Sequence, residues 1–264
     1  VANLCAHRRR SAWRSLLGPS MPACGKPRTE ILLNSIIASL IIEKRLPHGG
    51  RGSLVDGGAF NGEWACYWAT VANGTRTVIA IDPDVANIEY MRSQYGLATL
   101  RPHLALLSDG GGSSHAGVDD AKLGAKPSAF LGGDRIRTYN QSAAYRAALR
   151  IPVETIDDLF ALRWHGERCA LLHLDLEGSE LLALHGANAT LRRDRPVVVT
   201  ELNVHGMPEL GGRILRHLDG LKYDSFLVEE VTGIRADFRN VIHFPREYAT
   251  QRSNSVPLQS RSLC

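Results

Sequence analysis

Between Ser53 and Gly62 the chain reads Ser-Leu-Val-Asp-Gly-Gly-Ala-Phe-Asn-Gly. A short apolar strand runs into Asp56, and Gly57, Gly58 and Gly62 follow before a segment with helical spacing. A second short strand, Thr77–Ile81, ends at Asp82-Pro83. Strand, Gly-rich turn, helix, strand and carboxylate form a βαβ unit suited to a nucleoside-bearing cofactor. Glycine lets the backbone approach such a ligand and adopt positive φ. Two cofactors compete for this turn. As a dinucleotide fingerprint it is Gly57-x-Ala59-x-x-Gly62, and a Cβ at Ala59 would crowd the pyrophosphate while Asp56 would repel it. S-adenosylmethionine has no phosphates, and Asp56 could receive its ammonium directly or through water. The residues favour that second reading over NAD, with a ligand-free turn as the bland alternative.

Asp82 is placed to accept hydrogen bonds from a ribose diol, or else to cap the next helix beside Pro83. Ser108 and Asp109, after a third apolar run, could reach an adenine amino group or simply open a loop. The segment His173-Leu174-Asp175-Leu176-Glu177-Gly178-Ser179-Glu180 leaves the sheet at the edge where ligands bind in such folds. Period two puts His173 and Asp175 on one side of the strand. Methylating a hydroxyl needs a nearby proton acceptor and an in-line oxygen. His173 and Asp175 are the first candidates for that acceptor, with Glu177 and His205 next. Each has a plainer role available: a satisfied strand histidine, a carboxylate on a loop amide, and a helix cap at Glu180. Acids clustered at a sheet edge more often bond to loops than hold magnesium or manganese, so no metal is assigned.

The elements that must carry these residues alternate along the chain. Thr29–Leu46 reads as an amphipathic helix capped by Thr29 and stopped before Pro47. Strand Ser53–Asp56 is followed by helix Glu63–Ala72, with Trp64, Tyr67, Trp68 and Val71 on one face as core. Strand Thr77–Ile81, helix Asp84–Tyr95 and the apolar run Leu100–Leu107 come next. Gly110–Arg150 is rich in Gly, Ser and charge and reads as a long insertion loop. Thr155 or Asp157 could then cap a short helix before strand Ala170–Leu174 and a helix bearing Leu181, Leu182 and Leu184. Strand Val197–Thr200, helix Gly211–Leu221 and strands Ser225–Glu229 and Asn240–Phe244 complete the pattern. Uninterrupted apolar strands imply an α/β fold with a mostly parallel sheet covered on both faces.

The net charge of +4 belongs to one end of the chain. Arg8, Arg9, Arg10, Arg14, Lys26 and Arg28 precede the first acid, and without them 25 basic residues face 27 acidic ones. Nucleic-acid binding wants positive charge on the folded body, so no nucleic-acid partner is expected. The basic stretch reads as a disordered extension, with the remnant of a targeting segment as the competing view. Ile31–Ile42 is only 12 residues long, short of the roughly 20 a membrane helix requires. Five cysteines with no CxxC spacing suggest neither a zinc site nor a disulfide framework, and Cys66 and Cys169 read as small buried hydrophobes.

Five segments in order carry a family resemblance: Leu54–Gly62, Ile81–Asp84 with Asn87, Val153–Leu159, Leu171–Glu180 with Gly186-Ala187, and Pro196–Glu201. Over roughly residues 50–245, outside the 110–150 loop, the chain resembles FkbM-type methyltransferases. That resemblance implies a seven-stranded Rossmann-like class I methyltransferase sheet with an antiparallel last strand. It also implies S-adenosyl-L-methionine as cofactor, O-methylation as chemistry, and cofactor roles for Asp56, Gly58, Gly62 and Asp82. Asp82 stands where the family usually has Glu, and His173 where it usually has Lys. The expectation is therefore a methyltransferase acting on a hydroxyl of a small molecule or glycan. Its cofactor residues are Asp56, Gly57, Gly58, Gly62, Asp82, Ser108 and Asp109, and its catalytic residues His173, Asp175 and Glu177. An NAD-dependent oxidoreductase and a non-catalytic scaffold are the alternatives. Residues 1–28 are read as extension, 29–248 as one domain and 249–264 as a polar tail; oligomeric state is not legible.

Overall fold

Apolar residues that alternate in direction along each strand demand cover on both sides of the sheet, and the fold supplies it. A computed structural model describes Cys24 and residues 30–110, 151–203, 207–229 and 238–248. The insertion loop expected at 110–150 falls, beyond Gly110, outside the described residues, as does His205. The elements are α1 (Ile31–Ile42), β1 (Ser53–Gly57), α2 (Glu63–Ala72), β2 (Val78–Asp82), α3 (Val85–Gln94), β3 (Leu100–Leu104) and β4 (Leu106–Leu107). From residue 151 on come β5 (Val153–Glu154), the short α4 (Ile156–Asp158) continued by a π-turn at Leu159–Arg163, and β6 (Cys169–Leu174). Then follow α5 (Glu180–His185), α6 (Asn188–Asp194), β7 (Val197–Asn203), α7 (Pro208–Gly220), β8 (Tyr223–Val228) and β9 (Phe238–Pro245).

Seven strands form one sheet in the order β3-β2-β1-β6-β7-β9-β8, and β4 pairs with β5 in a separate ladder. Every pair from β3 to β7 is parallel, while β9 runs antiparallel to both β7 and β8. This is the Rossmann-like class I methyltransferase architecture. Strand order reverses at β1, so the crevice at the carboxyl ends of β1 and β6 is the natural ligand position. On one face Leu54, Leu171, Val197 and Val199 pack with Leu33 and Ile37 of α1, Trp68 of α2 and Met91 of α3. On the other, Val55, Leu172 and Val198 pack with Leu184 of α5, Leu191 of α6 and Ile214 and Leu218 of α7.

Several boundaries differ from the sequence reading for identifiable reasons. The run Leu100–Leu107 breaks at Ala105, where the chain leaves β2 to pair with β5. The helix bearing Leu181, Leu182 and Leu184 is α5, and α6, which the sequence reading did not foresee, follows after Gly186, a glycine packed on the Ser108 carbonyl with no room for a Cβ. Thr155 caps α4, its hydroxyl accepting from the Asp158 N–H at 2.9 Å. Asp157 instead caps α6 from a distance, accepting from the N–H groups of Ala189 and Thr190 at 2.8 and 2.7 Å. Cys66 corrects the cysteine reading: it is disulfide-bonded to Cys24, with Cα atoms 5.9 Å apart across 42 residues. No local spacing announces a pair made by laying a distant segment over α2. Cys169 is a free, buried thiol, as expected. Among the described residues no helix is long and apolar enough to cross a membrane.

Candidate active site

The glycine turn is held by its own neighbours. The N–H groups of Gly58 and Ala59 both donate to the Ile81 carbonyl, at 2.9 and 3.0 Å, and that of Gly62 donates to Ala59 at 2.7 Å. Phe60 takes a left-handed backbone, φ +50°, and donates its N–H to Asp82 Oδ2 at 2.8 Å. Four N–H groups that a pyrophosphate would seek are thus already used. Gly58 has φ +81°, and a Cβ there would run into the backbone carbonyl of Asp175. Close approach between the β1 and β6 ends, not a ligand alone, therefore requires this glycine.

Asp82 is 3% exposed at the end of β2. Its Oδ1 accepts from the Asp84 N–H at 2.8 Å and the Asn87 amide at 3.0 Å. Helix α3 is capped by Asp84, whose side chain accepts from the Ala86 N–H, so Asp82 is not its cap. Burial raises the Asp82 carboxyl to about 6, against the lowering effect of its bonds to Asn87, Asp84 and Phe60. Oδ2 accepts from the Phe60 N–H and retains acceptor capacity for a ribose hydroxyl.

Asp56 and His173 lie opposite each other on the parallel strands β1 and β6. Asp56 Oδ1 and His173 Nδ1 are 2.8 Å apart, and both side chains are buried. The indole of Trp64 stacks on the imidazole at 4.8 Å and 28°, and Trp68 meets it edge-on at 5.7 Å. Trp68 is fixed in turn by donating to the Asn34 side chain at 3.2 Å. The aromatic face of α2 is thus core, as its spacing implies, but Trp64 also covers His173. Asp56 Oδ2 is buried and has no hydrogen-bond partner among the described residues. An orphaned carboxylate oxygen in a cofactor turn fits a ligand that brings an ammonium.

Asp175 lies just past β6 and Glu201 lies within β7, near enough for the Asp175 carboxyl to act on that of Glu201. Burial, then the Asp175 charge and that of Glu30, push Glu201 far up. Asp175 is raised as well, chiefly by burial, with His173 pulling down and Glu177, Glu30 and Glu180 pushing up. Glu177 sits in a left-handed conformation, φ +52°. The turn that carries it is tied by Glu180, whose Oε1 accepts from the N–H groups of Leu176 and Gly178 at 2.8 and 3.1 Å.

The structure therefore brings Asp56, His173 and Asp175 together, with Glu177 on the adjoining turn, and links Asp82 to the glycine turn through Phe60. Ser108 and Asp109 follow the separate β4 ladder, with the Ser108 hydroxyl 3.4 Å from Asp109 Oδ1. Sequence reasoning missed Glu30, which precedes α1, accepts from the Asn240 amide of β9, and lies near enough to act on His173, Asp175 and Glu201. Nothing in the sequence near Glu30 marks it, because its place depends on the return of β9.

The profile of the Methyltransferase FkbM domain matches residues 56–225. No curated protein matches the chain at significant similarity. Among solved structures, the methyltransferase FkbM from Methylobacillus flagellatus KT superposes with a TM-score of 0.51 at 18% identity, covering 78% of this chain and 47% of that one. This chain thus spans about half the length of that neighbour. Cofactor-bound Rv0187 from MTB gives 0.48 at 13% identity, covering 85% of each chain. SMU.1697c from Streptococcus mutans in complex with SAH gives 0.44 at 12%, covering 83% of this chain and 99% of that one. With the Asp56–Gly62 turn at its start and the Asp175 and Glu201 edge within it, the matched span makes this chain a member of the S-adenosyl-L-methionine-dependent FkbM methyltransferase family.

Proposed function

We propose that the domain methylates a hydroxyl oxygen of a small molecule or glycan, with Asp175 as proton acceptor. The observation that carries this reading is the Asp175–Glu201 carboxyl pair, seated beside the glycine turn at the carboxyl edge of the sheet. Two neighbouring, half-buried carboxyls can retain one proton between them. Burial raises both carboxyls; in this reading Glu201 holds the shared proton and Asp175 serves as the anion. A carboxylate whose pKa is raised is a stronger base than a surface acid and suits removal of a hydroxyl proton.

Asp56 would hold the ammonium of S-adenosyl-L-methionine, Asp82 a ribose hydroxyl, and Ser108 and Asp109 the adenine end, with Gly57, Gly58 and Gly62 shaping the turn. The bound cofactor supplies an activated methyl group and a neutral thioether leaving group. Asp175 takes the hydroxyl proton onto its carboxylate as the oxygen attacks, and the neighbouring Glu201 carboxyl steadies the acceptor. Glu177 stands on the adjoining turn, where its charge orients an acceptor. Leu202, Met207 and Ile214 line a small cavity together with Glu177 and Glu201 and offer an apolar wall to the acceptor's carbon skeleton. His173, sealed by Asp56 and Trp64, has no comparable access. The NAD alternative is weakened by the turn itself, whose N–H groups are spent on Ile81, Ala59 and Asp82.

The test is incubation with methyl-labelled cofactor and a panel of hydroxylated small molecules and oligosaccharides, with products read by NMR. Labelled methyl ethers are expected, and Asp175→Asn should slow their formation by about 10²-fold or more. Label on nitrogen or carbon would overturn the hydroxyl assignment, and an unimpaired Asp175→Asn would overturn the acceptor role.

A further inference from the structure

We propose that His173 is the positioning residue of Asp56: its imidazole clamps one carboxylate oxygen and competes, when protonated, with the cofactor's ammonium for that carboxylate's charge. This rests on the reading of Asp56 as a cofactor ligand. The geometry is specific. His173 Nδ1 holds Asp56 Oδ1 at 2.8 Å, while Asp56 Oδ2 is buried and unpartnered. A carboxylate clamped on one oxygen cannot rotate, so the second oxygen keeps a fixed direction for an incoming donor. The ring is fixed on its other sides by the Trp64 face and the Trp68 edge. An indole stacked on an imidazole favours its charged form.

The groups that face His173 are Asp56 from β1, Asp175 beyond the end of its own strand, and Glu30 ahead of α1. Helix α2 contributes the non-titrating rings of Trp64 and Trp68, and β7 the in-register Val199. Burial works against the imidazolium, but the Asp56 hydrogen bond and charge, then Asp175 and Glu30, outweigh it and leave the pKa raised. His173 thus keeps its proton to a higher pH than an ordinary imidazole does and loses it only as pH rises further. With the proton on, the Asp56 carboxylate is already neutralised. With it off, neutral Nδ1–H still donates to Oδ1, so the clamp persists while the full negative charge serves the ligand's ammonium. Linkage then requires that binding an ammonium expels the His173 proton, so affinity rises with pH.

The experiment is calorimetric titration of S-adenosylhomocysteine, which carries the ammonium without the sulfonium, from about pH 6 to about pH 8.5. Wild type, His173→Asn and His173→Lys are compared, and the His173 imidazole is followed by NMR in the wild type with and without ligand. Wild-type affinity should rise by up to about tenfold per pH unit, the limit for one linked proton. Both variants should lose that slope, since Asn never carries the proton and Lys keeps it throughout, and ligand should lower the imidazole pKa. A wild-type profile without slope, a slope that survives in His173→Asn, or an imidazole pKa unmoved by ligand would each overturn the proposal. Binding without a His173-dependent slope defeats this inference alone. No binding at any pH defeats the cofactor reading of Asp56 and this inference with it. The NMR arm uses only the wild type and does not depend on either variant folding.

Discussion

Replacing Gly58 by Ala tests how the two strand ends at the site are joined. Two costs arise at this position. With φ +81°, an L side chain is held in the left-handed region, which costs about 1–2 kcal/mol. The new Cβ would also lie 2.8 Å from the carbonyl carbon of Asp175 and nearer still to its oxygen. That neighbour is backbone and cannot swing away, so β1 and the turn after β6 must separate, an overpacking cost of about 1–3 kcal/mol. The total is about 2–5 kcal/mol. For a domain of this size each kcal/mol lowers Tm by about 2–4 °C, so a loss of about 4–20 °C is expected. Gly74→Ala provides the control, because Gly74 has φ +77° but nothing within 4 Å of an added Cβ. It should lose only the conformational part, about 1–2 kcal/mol. Differential scanning calorimetry of both variants isolates the contact with Asp175. Equal destabilisation of the two would refute the claim that Gly58 is required by that carbonyl.

Three further outcomes follow from the same geometry. Asp82→Ala removes the acceptor of the Phe60 and Asp84 N–H groups and of Asn87, and should cost about 1–3 kcal/mol while weakening S-adenosylhomocysteine binding in calorimetry; unchanged affinity would remove Asp82 from the cofactor site. Cys24→Ser opens a link across 42 residues and should lower stability in denaturant melts by about 2–4 kcal/mol, with reductant doing the same to the wild type and nothing to the variant. Glu201 is raised in the folded state, first by burial, so its contribution is present at acid pH and lost as pH rises through its folded value. Wild-type Tm should therefore fall between about pH 5 and about pH 9, and Glu201→Gln should flatten that decline; an equal decline in the variant would place the proton elsewhere.

The frame of the fold was legible because its signals are local. Glu63–Ala72 forms a helix over the bounds its spacing implies, and the strands at 53, 78, 169 and 197 announce themselves as apolar runs with turn residues behind them. What escaped depends on contacts between distant segments. The Cys24–Cys66 pair, the bond between Glu30 and Asn240 of β9, and Asp157 capping a helix more than 30 residues on have no local signature. The site shows the same division. Asp56, Asp82, His173 and Asp175 are visible as polar residues ending apolar strands. That His173 faces Asp56 follows only from the β1–β6 register, and its cover by Trp64 only from how α2 lies on the sheet. The turn likewise looks ligand-shaped in sequence, but its N–H groups prove to serve β2 and the turn itself.

Paired calorimetric titrations of the wild-type domain with S-adenosylhomocysteine and with NAD test the central claim most directly. Saturable binding of S-adenosylhomocysteine at one site, with no heat from NAD, is the expected result. Binding of NAD with S-adenosylhomocysteine inert would contradict the assignment of the Asp56–Asp82 edge as an S-adenosyl-L-methionine site.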